Sequence, residues 1–136
     1  MNRKSLILVV LSFATGVAVG PWLVASVQAQ YRPIKATELM RVDLGSWCPG
    51  KEVTFEMQEA GAGTSGRHYH PAHSFSWIIE GSETHLADGK ATVTAKPGDL
   101  IHDEPMEIHE SQNAAALKFL QVRIVEKGKP VTTRIE

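Results

Sequence analysis

From residue 51 onward the chain alternates apolar and polar positions in short runs separated by turn residues. Val53, Phe55 and Met57 interleave with Thr54, Glu56 and Gln58, the period of two expected of a half-buried strand. Residues 61–66 are glycine-rich and read as a loop. Residues 75–80 are aromatic and β-branched, and Gly81 stops them. Residues 84–87 and 91–95 flank Asp88-Gly89, a pair suited to the positive-φ positions of a tight hairpin. Lys96, Pro97, Gly98 and Asp99 form a further turn. Residues 100–102 and 108–111 predict short strands around a turn at 103–107. Residues 116–125 predict a long apolar strand. Residues 30–50, broken by Pro33, Gly45, Pro49 and Gly50, read as an N-terminal arm with one strand near 39–44. Residues 127–136 read as a polar tail. No amphipathic helix of useful length follows residue 30. Short, evenly spaced strands predict an all-β domain over 51–126: a sandwich, jelly roll or small barrel.

The first thirty residues follow a different pattern. Arg3 and Lys4 precede an apolar run from Leu6 to about Val27 that ends in Val27-Gln28-Ala29. A basic start, an apolar stretch and a small-residue site predict a signal peptide at 1–29, and a periplasmic or secreted protein. The rival is an uncleaved anchor, since residues 6–25 are long enough to span a bilayer. Gly16, Gly20 and Pro21 interrupt that run. Only the anchor implies a membrane partner; in both readings the folded part lies outside the cytoplasm.

Charge and cysteine content exclude two classes. The chain holds 14 Lys+Arg and 15 Asp+Glu, and loss of Arg3 and Lys4 leaves 12 against 15, about −3. Without clustered basic charge, no nucleic-acid partner is expected. Cys48 is the single cysteine, so no intrachain disulfide forms. Nothing near it in sequence activates the thiol, and it reads as inert.

The candidate chemistry lies in the histidines, all six of which fall between residues 68 and 109. In a strand, His68 and His70 point to one face and can converge on an ion. A His-x-His pair also arises as two surface or satisfied core histidines. Two ligands bind weakly, so a third is needed; His109, opening a later strand, is the best candidate. His73 is a candidate fourth ligand or supporting group. Only one of His102 and Asp103 can face the interior; Asp103 there would supply the missing carboxylate or hydrogen-bond a ligating imidazole. His85, just before the hairpin, reads as solvated. Tyr69, Phe75 and Trp77 read as barrel core, with the lining of a flat apolar pocket as the alternative.

Two stretches resemble the paired motifs of the cupins. In the first, His68, His70 and Gly81 fall in register, and Ser74 stands where the motif has Glu. In the second, Gly98, His109 and Asn113 match in spacing; Glu104 and Met106 replace the motif's Pro and Gly, with Pro105 between them. His70-Pro71 and the run Trp77-Ile78-Ile79-Glu80-Gly81 also resemble small single-domain bacterial cupins of type 2, as do residues 126–130. The likeness extends over roughly 50–132. It implies a double-stranded β-helix, or jelly-roll barrel, whose motif histidines hold one divalent transition metal: Fe, Cu, Ni, Mn or Zn. With Ser74 too short to replace the carboxylate, it implies a three-histidine site of His68, His70 and His109, with His73 and Ser74 near substrate. The activity implied is dioxygenase-like, on a small organic substrate. The alternatives are a non-enzymatic ligand-binding or sensing module and a zinc-dependent hydrolase or lyase. The resemblance also implies a homodimer, through pairing of the arm with a neighbouring barrel.

Overall fold

The computed structural model describes residues 31–135; the segment expected to be a leader or anchor at 1–29 lies outside them. In chain order the strands are β1 (Ile34–Asp43), β2 (Lys51–Ala60), β3 (Gly63–Thr64), β4 (His68–Tyr69), β5 (His73–Glu80), β6 (Glu83–Ala87), β7 (Val93–Ala95), β8 (Leu100–Asp103), β9 (His109–Asn113), β10 (Leu117–Glu126) and β11 (Thr133–Arg134). A short 3₁₀ turn, Gly45–Trp47, links β1 to β2. One sheet has the order β1-β2-β10-β5-β8. The other runs β11-β4-β9-β6-β7, with β3 added beside β9. All strand pairs are antiparallel, and the two sheets face each other as a jelly roll.

Three expectations are corrected here. The arm strand is longer than 39–44, and it pairs with β2 of its own chain from Ile34 to Asp43. The loop at 61–66 contains β3, which pairs with Asn113 and Gln112. Residues 127–136 are not a free tail: β11 pairs with β4, Thr133 opposite Tyr69 and Arg134 opposite His68.

The sheet β1-β2-β10-β5-β8, with fewer but longer strands and so the larger of the two, inverts the usual polarity. On β2 the inward residues are Glu52, Thr54, Gln58 and Ala60, all buried, while Val53, Phe55 and Met57 point outward. On β10, Gln121 and Arg123 point inward and Leu120, Val122 and Ile124 outward. Period two fixes the strand but not which face is buried. The expectation that Phe75 and Trp77 fill the core is therefore corrected: both lie on the outer face of β5, and Trp77 is 49% exposed.

Along β10 the inward rows change character. Leu117 pairs with Ala60, and Phe119 with Ile78, within an apolar plug completed by Ala95 and Ile101. Fully burying a side chain such as Ile78 contributes about 1.5–3 kcal/mol. The next rows are polar, Gln121 beside Ser76, then Arg123 beside Ser74. They are stable inside because they bond to one another. Gln121 Nε2 donates to Ser74 Oγ at 2.9 Å, and Arg123 donates to Glu56 Oε2 at 2.7 Å and to Gln121 Oε1. Gln58 donates to the same Glu56 oxygen at 2.8 Å. The barrel is thus plugged with hydrocarbon at one end and is a polar chamber at the other.

Candidate metal centre

His68 and His109 are cross-strand partners on β4 and β9, which places their imidazoles on one side of the smaller sheet. His70 follows β4 directly and is 2% exposed. Its carbonyl accepts the Met106 amide at 2.7 Å, which ties the turn ahead of His109 to the His-x-His segment. Met106 adopts a φ of 67°, so the left-handed turn of the motif's glycine persists with a side chain in place. Gly66 has a φ of +68°, and a Cβ there would lie 2.1 Å from the Tyr31 ring, so a side chain at this position would be strained and would displace that ring.

Each imidazole is held the same way. His68 Nδ1 donates to Gly66 O at 2.8 Å, His70 Nδ1 to Val131 O at 2.8 Å and His109 Nδ1 to Glu107 O at 2.9 Å. A carbonyl can only accept, so Nδ1 carries a proton in all three, and in the neutral ring each Nε2 keeps a free lone pair. Candidate ligand atoms of the three residues lie within 4.8 Å of one another. Burial holds His68 down to about 4 and His70 down to about 3, the latter helped by the Arg123 charge. Both rings are therefore neutral at pH 7, the form a metal needs.

Of the remaining residues, Asp103, His102, His73 and Ser74 divide between the two sides of the larger sheet, and His85 lies on the smaller one. Asp103 is 3% exposed and faces inward; His102, next to it, faces out. Asp103 Oδ2 lies 3.7 Å from His109 Nε2, and Oδ1 lies 3.3 Å from His85 Nε2 without making a hydrogen bond. Burial pushes the Asp103 carboxyl up. His73 is corrected as a fourth ligand: it is exposed on the outer face, 3.0 Å from His102 Nε2. Ser74 faces inward with no exposure, engaged by Gln121, and does not line the chamber. His85 is corrected as well. It is 8% exposed beside His109, and burial holds it down to about 4. Its position on β6 next to β9 could be inferred only from the strand order.

The imidazoles open on a cavity of about 520 Å³. Beyond the site residues, its wall includes Ser76, Gln121, Thr132 and the apolar Ile101 and Phe119. Arg32, paired with Glu83 at 3.3 Å, and Arg123, paired with Glu56, bring two buried guanidiniums to the same wall. The donor set fits a transition ion. Three imidazoles offer nitrogens that converge, and a buried carboxylate oxygen beside them lacks a hydrogen-bond donor.

The family pattern of the cupin domain matches residues 54–132. The chain belongs to the cupin family. Solved structures share its fold at low identity. It aligns with the DMSP lyase DddQ of Ruegeria pomeroyi at 16% identity and a TM-score of 0.61, over 78% of this chain but 60% of that one. The polyketide cyclase RemF of Streptomyces resistomycificus aligns at 18% identity and 0.58, over 81% and 78%. A cupin superfamily protein of Desulfitobacterium hafniense aligns at 15% and 0.58, over 74% and 84%. No curated protein matches the sequence. As a cupin with a three-histidine cluster, the chain could hold a metal ion.

Proposed function

We propose that this cupin is a metal-dependent enzyme acting on a small polar organic substrate, with His68, His70 and His109 as ligands of one divalent transition metal. The observation that carries this is the common orientation of the imidazoles, with every Nδ1 tied to a carbonyl and candidate ligand atoms of the three within 4.8 Å of one another. Neutral imidazoles suit Fe, Cu, Ni and Zn better than Mg or Ca. Such an ion, when bound, supplies Lewis-acid or redox chemistry and a template for substrate. The reaction class we assign is dioxygenase-like oxidation. The chain's own contribution is the chamber. Ile101 and Phe119 close it on the apolar side, and Ser76, Gln121 and Thr132 offer hydrogen bonds that orient a ligand. That lining favours a small polar substrate over a flat apolar one.

A second reading, a zinc-dependent lyase or hydrolase, is favoured by Asp103 and His85 beside the cluster. The lyase among the structural neighbours supports it only as an analogy of fold.

Elemental analysis of the protein purified without chelators, beside His109→Ala, tests the site. Near one equivalent of iron, copper or nickel, lost in the variant, supports the proposal, and oxygen uptake with a panel of small organic acids then tests the reaction. Zinc, with bond cleavage and no oxygen uptake, moves the second reading ahead. A folded protein that takes up no metal overturns both and leaves a ligand-binding module. We also propose export, on Arg3 and Lys4 ahead of the apolar run; the mass of the mature chain tests it.

A further inference from the structure

One row of the smaller sheet crosses three strands, with Arg134 on β11, His68 on β4 and His109 on β9. Residues directly opposite on paired antiparallel strands present their side chains to one face. The Arg134 guanidinium therefore shares the chamber side with the two imidazoles, and it lines the cavity. Its strand stands one spacing, about 4.8 Å, beyond that of His68. β11 is an edge strand and Arg134 is exposed, so the row ends in a cation at the mouth.

Charge sets Arg134 apart from the other guanidiniums of the wall. Arg32 is paired with Glu83 at 3.3 Å and Arg123 with Glu56 at 2.7 Å. Arg134 meets no carboxylate among the described residues: Nη1 donates to the Ser65 carbonyl at 2.7 Å, and Cζ lies 5.1 Å over the Tyr31 ring. These two contacts hold the plane of the guanidinium and leave the rest of its N–H donors for a ligand, a pre-organised fork. The remaining carboxyl of the wall, Asp103, lies at the far end of the row, 3.7 Å from His109 Nε2. An anionic group entering the chamber is thus drawn to the mouth and kept from the floor.

We propose that Arg134 is a substrate-binding residue that selects small carboxylic acids, its guanidinium holding the carboxylate at the mouth while the rest of the molecule reaches the imidazoles. The assignment rests on the metal-dependent reading of His68, His70 and His109. The planar fork offers parallel N–H donors to the two oxygens of a carboxylate. One unpaired guanidinium balances one negative charge, whereas a phosphate group carries about two near neutral pH. From β11 to β9 is two strand spacings, roughly 10 Å, which limits the acid to a short chain.

The test is calorimetric titration of the cobalt(II)-loaded protein, expressed from its full reading frame, with lactate, succinate, lactamide and inorganic phosphate. Wild type, Arg134→Gln and Arg134→Lys are compared, with circular dichroism to confirm the fold. Glutamine keeps a donor for Ser65 and removes the charge. Arg134→Gln should weaken binding of the acids by about 10–100-fold, as loss of a charge-assisted hydrogen bond does. Arg134→Lys should weaken it less. The preference for lactate over uncharged lactamide should shrink in Arg134→Gln by a similar factor, which separates the guanidinium from any preference of the metal itself. Equal affinity of the acids for wild type and Arg134→Gln overturns the proposal, as does a wild type that binds neither acid or binds phosphate more tightly. Weaker cobalt binding in Arg134→Gln overturns it too, because Arg134 would then act by supporting the metal site. A protein that takes up no cobalt refutes the metal reading alone, and the same comparison on the metal-free protein then decides the role of Arg134.

Discussion

Ser74 and Asp103 face each other across β5 and β8, the serine fully buried and the aspartate 3% exposed. The position at which the cupin motif carries a carboxylate thus has a hydroxyl, and the neighbouring strand brings a carboxylate to within 3.7 Å of His109 Nε2.

The first prediction concerns that carboxylate. Asp103→Asn keeps the shape and removes the charge. It should weaken cobalt(II) or zinc binding by about 10–100-fold, the range for groups that support ligating histidines. Calorimetric titration measures this, and an unchanged affinity would show that Asp103 does not act on the site.

The second concerns the carbonyl of Val131, which orients His70 from 61 residues away. Deleting residues 131–136 removes it together with β11. The truncated protein should bind metal at least about tenfold more weakly, again by loss of a supporting contact. Equal affinity would mean that the barrel alone fixes the His70 ring.

The third concerns pH. His68 and His70 titrate at about 4 and about 3 when folded, below the ordinary 6.5. Between pH 6.5 and about 4 the unfolded chain takes up these protons before the folded one, so the metal-free fold loses stability as pH falls. The raised carboxyls of Glu83 and Asp103 work in the opposite sense. The His70 share is isolated by comparison with His70→Gln, whose melting temperature should fall less steeply over this window than that of wild type. Parallel slopes would refute the assignment.

The fourth concerns the turn before His109. Met106 holds a φ of 67° and is 57% exposed. Met106→Gly should raise stability by about 1 kcal/mol, the usual penalty of a side chain in this region. A urea midpoint that does not rise would show that the Met106 side chain compensates.

The fifth concerns the Arg123–Glu56 pair at 2.7 Å, with Arg123 5% exposed. Glu56→Gln leaves a buried guanidinium without its counter-charge and should destabilise the protein by about 3–5 kcal/mol. Chemical denaturation reads it directly.

Much of this was legible in the sequence. Alternation located β2 and β5, Asp88-Gly89 located the β6–β7 hairpin, and the motif spacing singled out the three imidazoles that the structure brings together. What stayed hidden was the direction of the pattern. In β2, Val53, Phe55 and Met57 have the hydropathy of core residues but point outward, because the barrel interior is given to Glu56, Gln58 and Arg123. Only the partner strands decide that choice. His85 and Val131 were illegible for a related reason: each reaches the site through strand pairing distant in sequence, β6 on β9 and β11 on β4.

The return of β11 also sets an order of events. Residues near 68, 109 and 131 must all be present before the His70 ring is fixed, and Arg134 lies 5.1 Å over the ring of Tyr31. The two ends of the described chain therefore meet at the mouth of the site. A chain without β11 would leave His70 lacking the carbonyl that orients it, so a complete three-imidazole cluster depends on the pairing of β11 with β4.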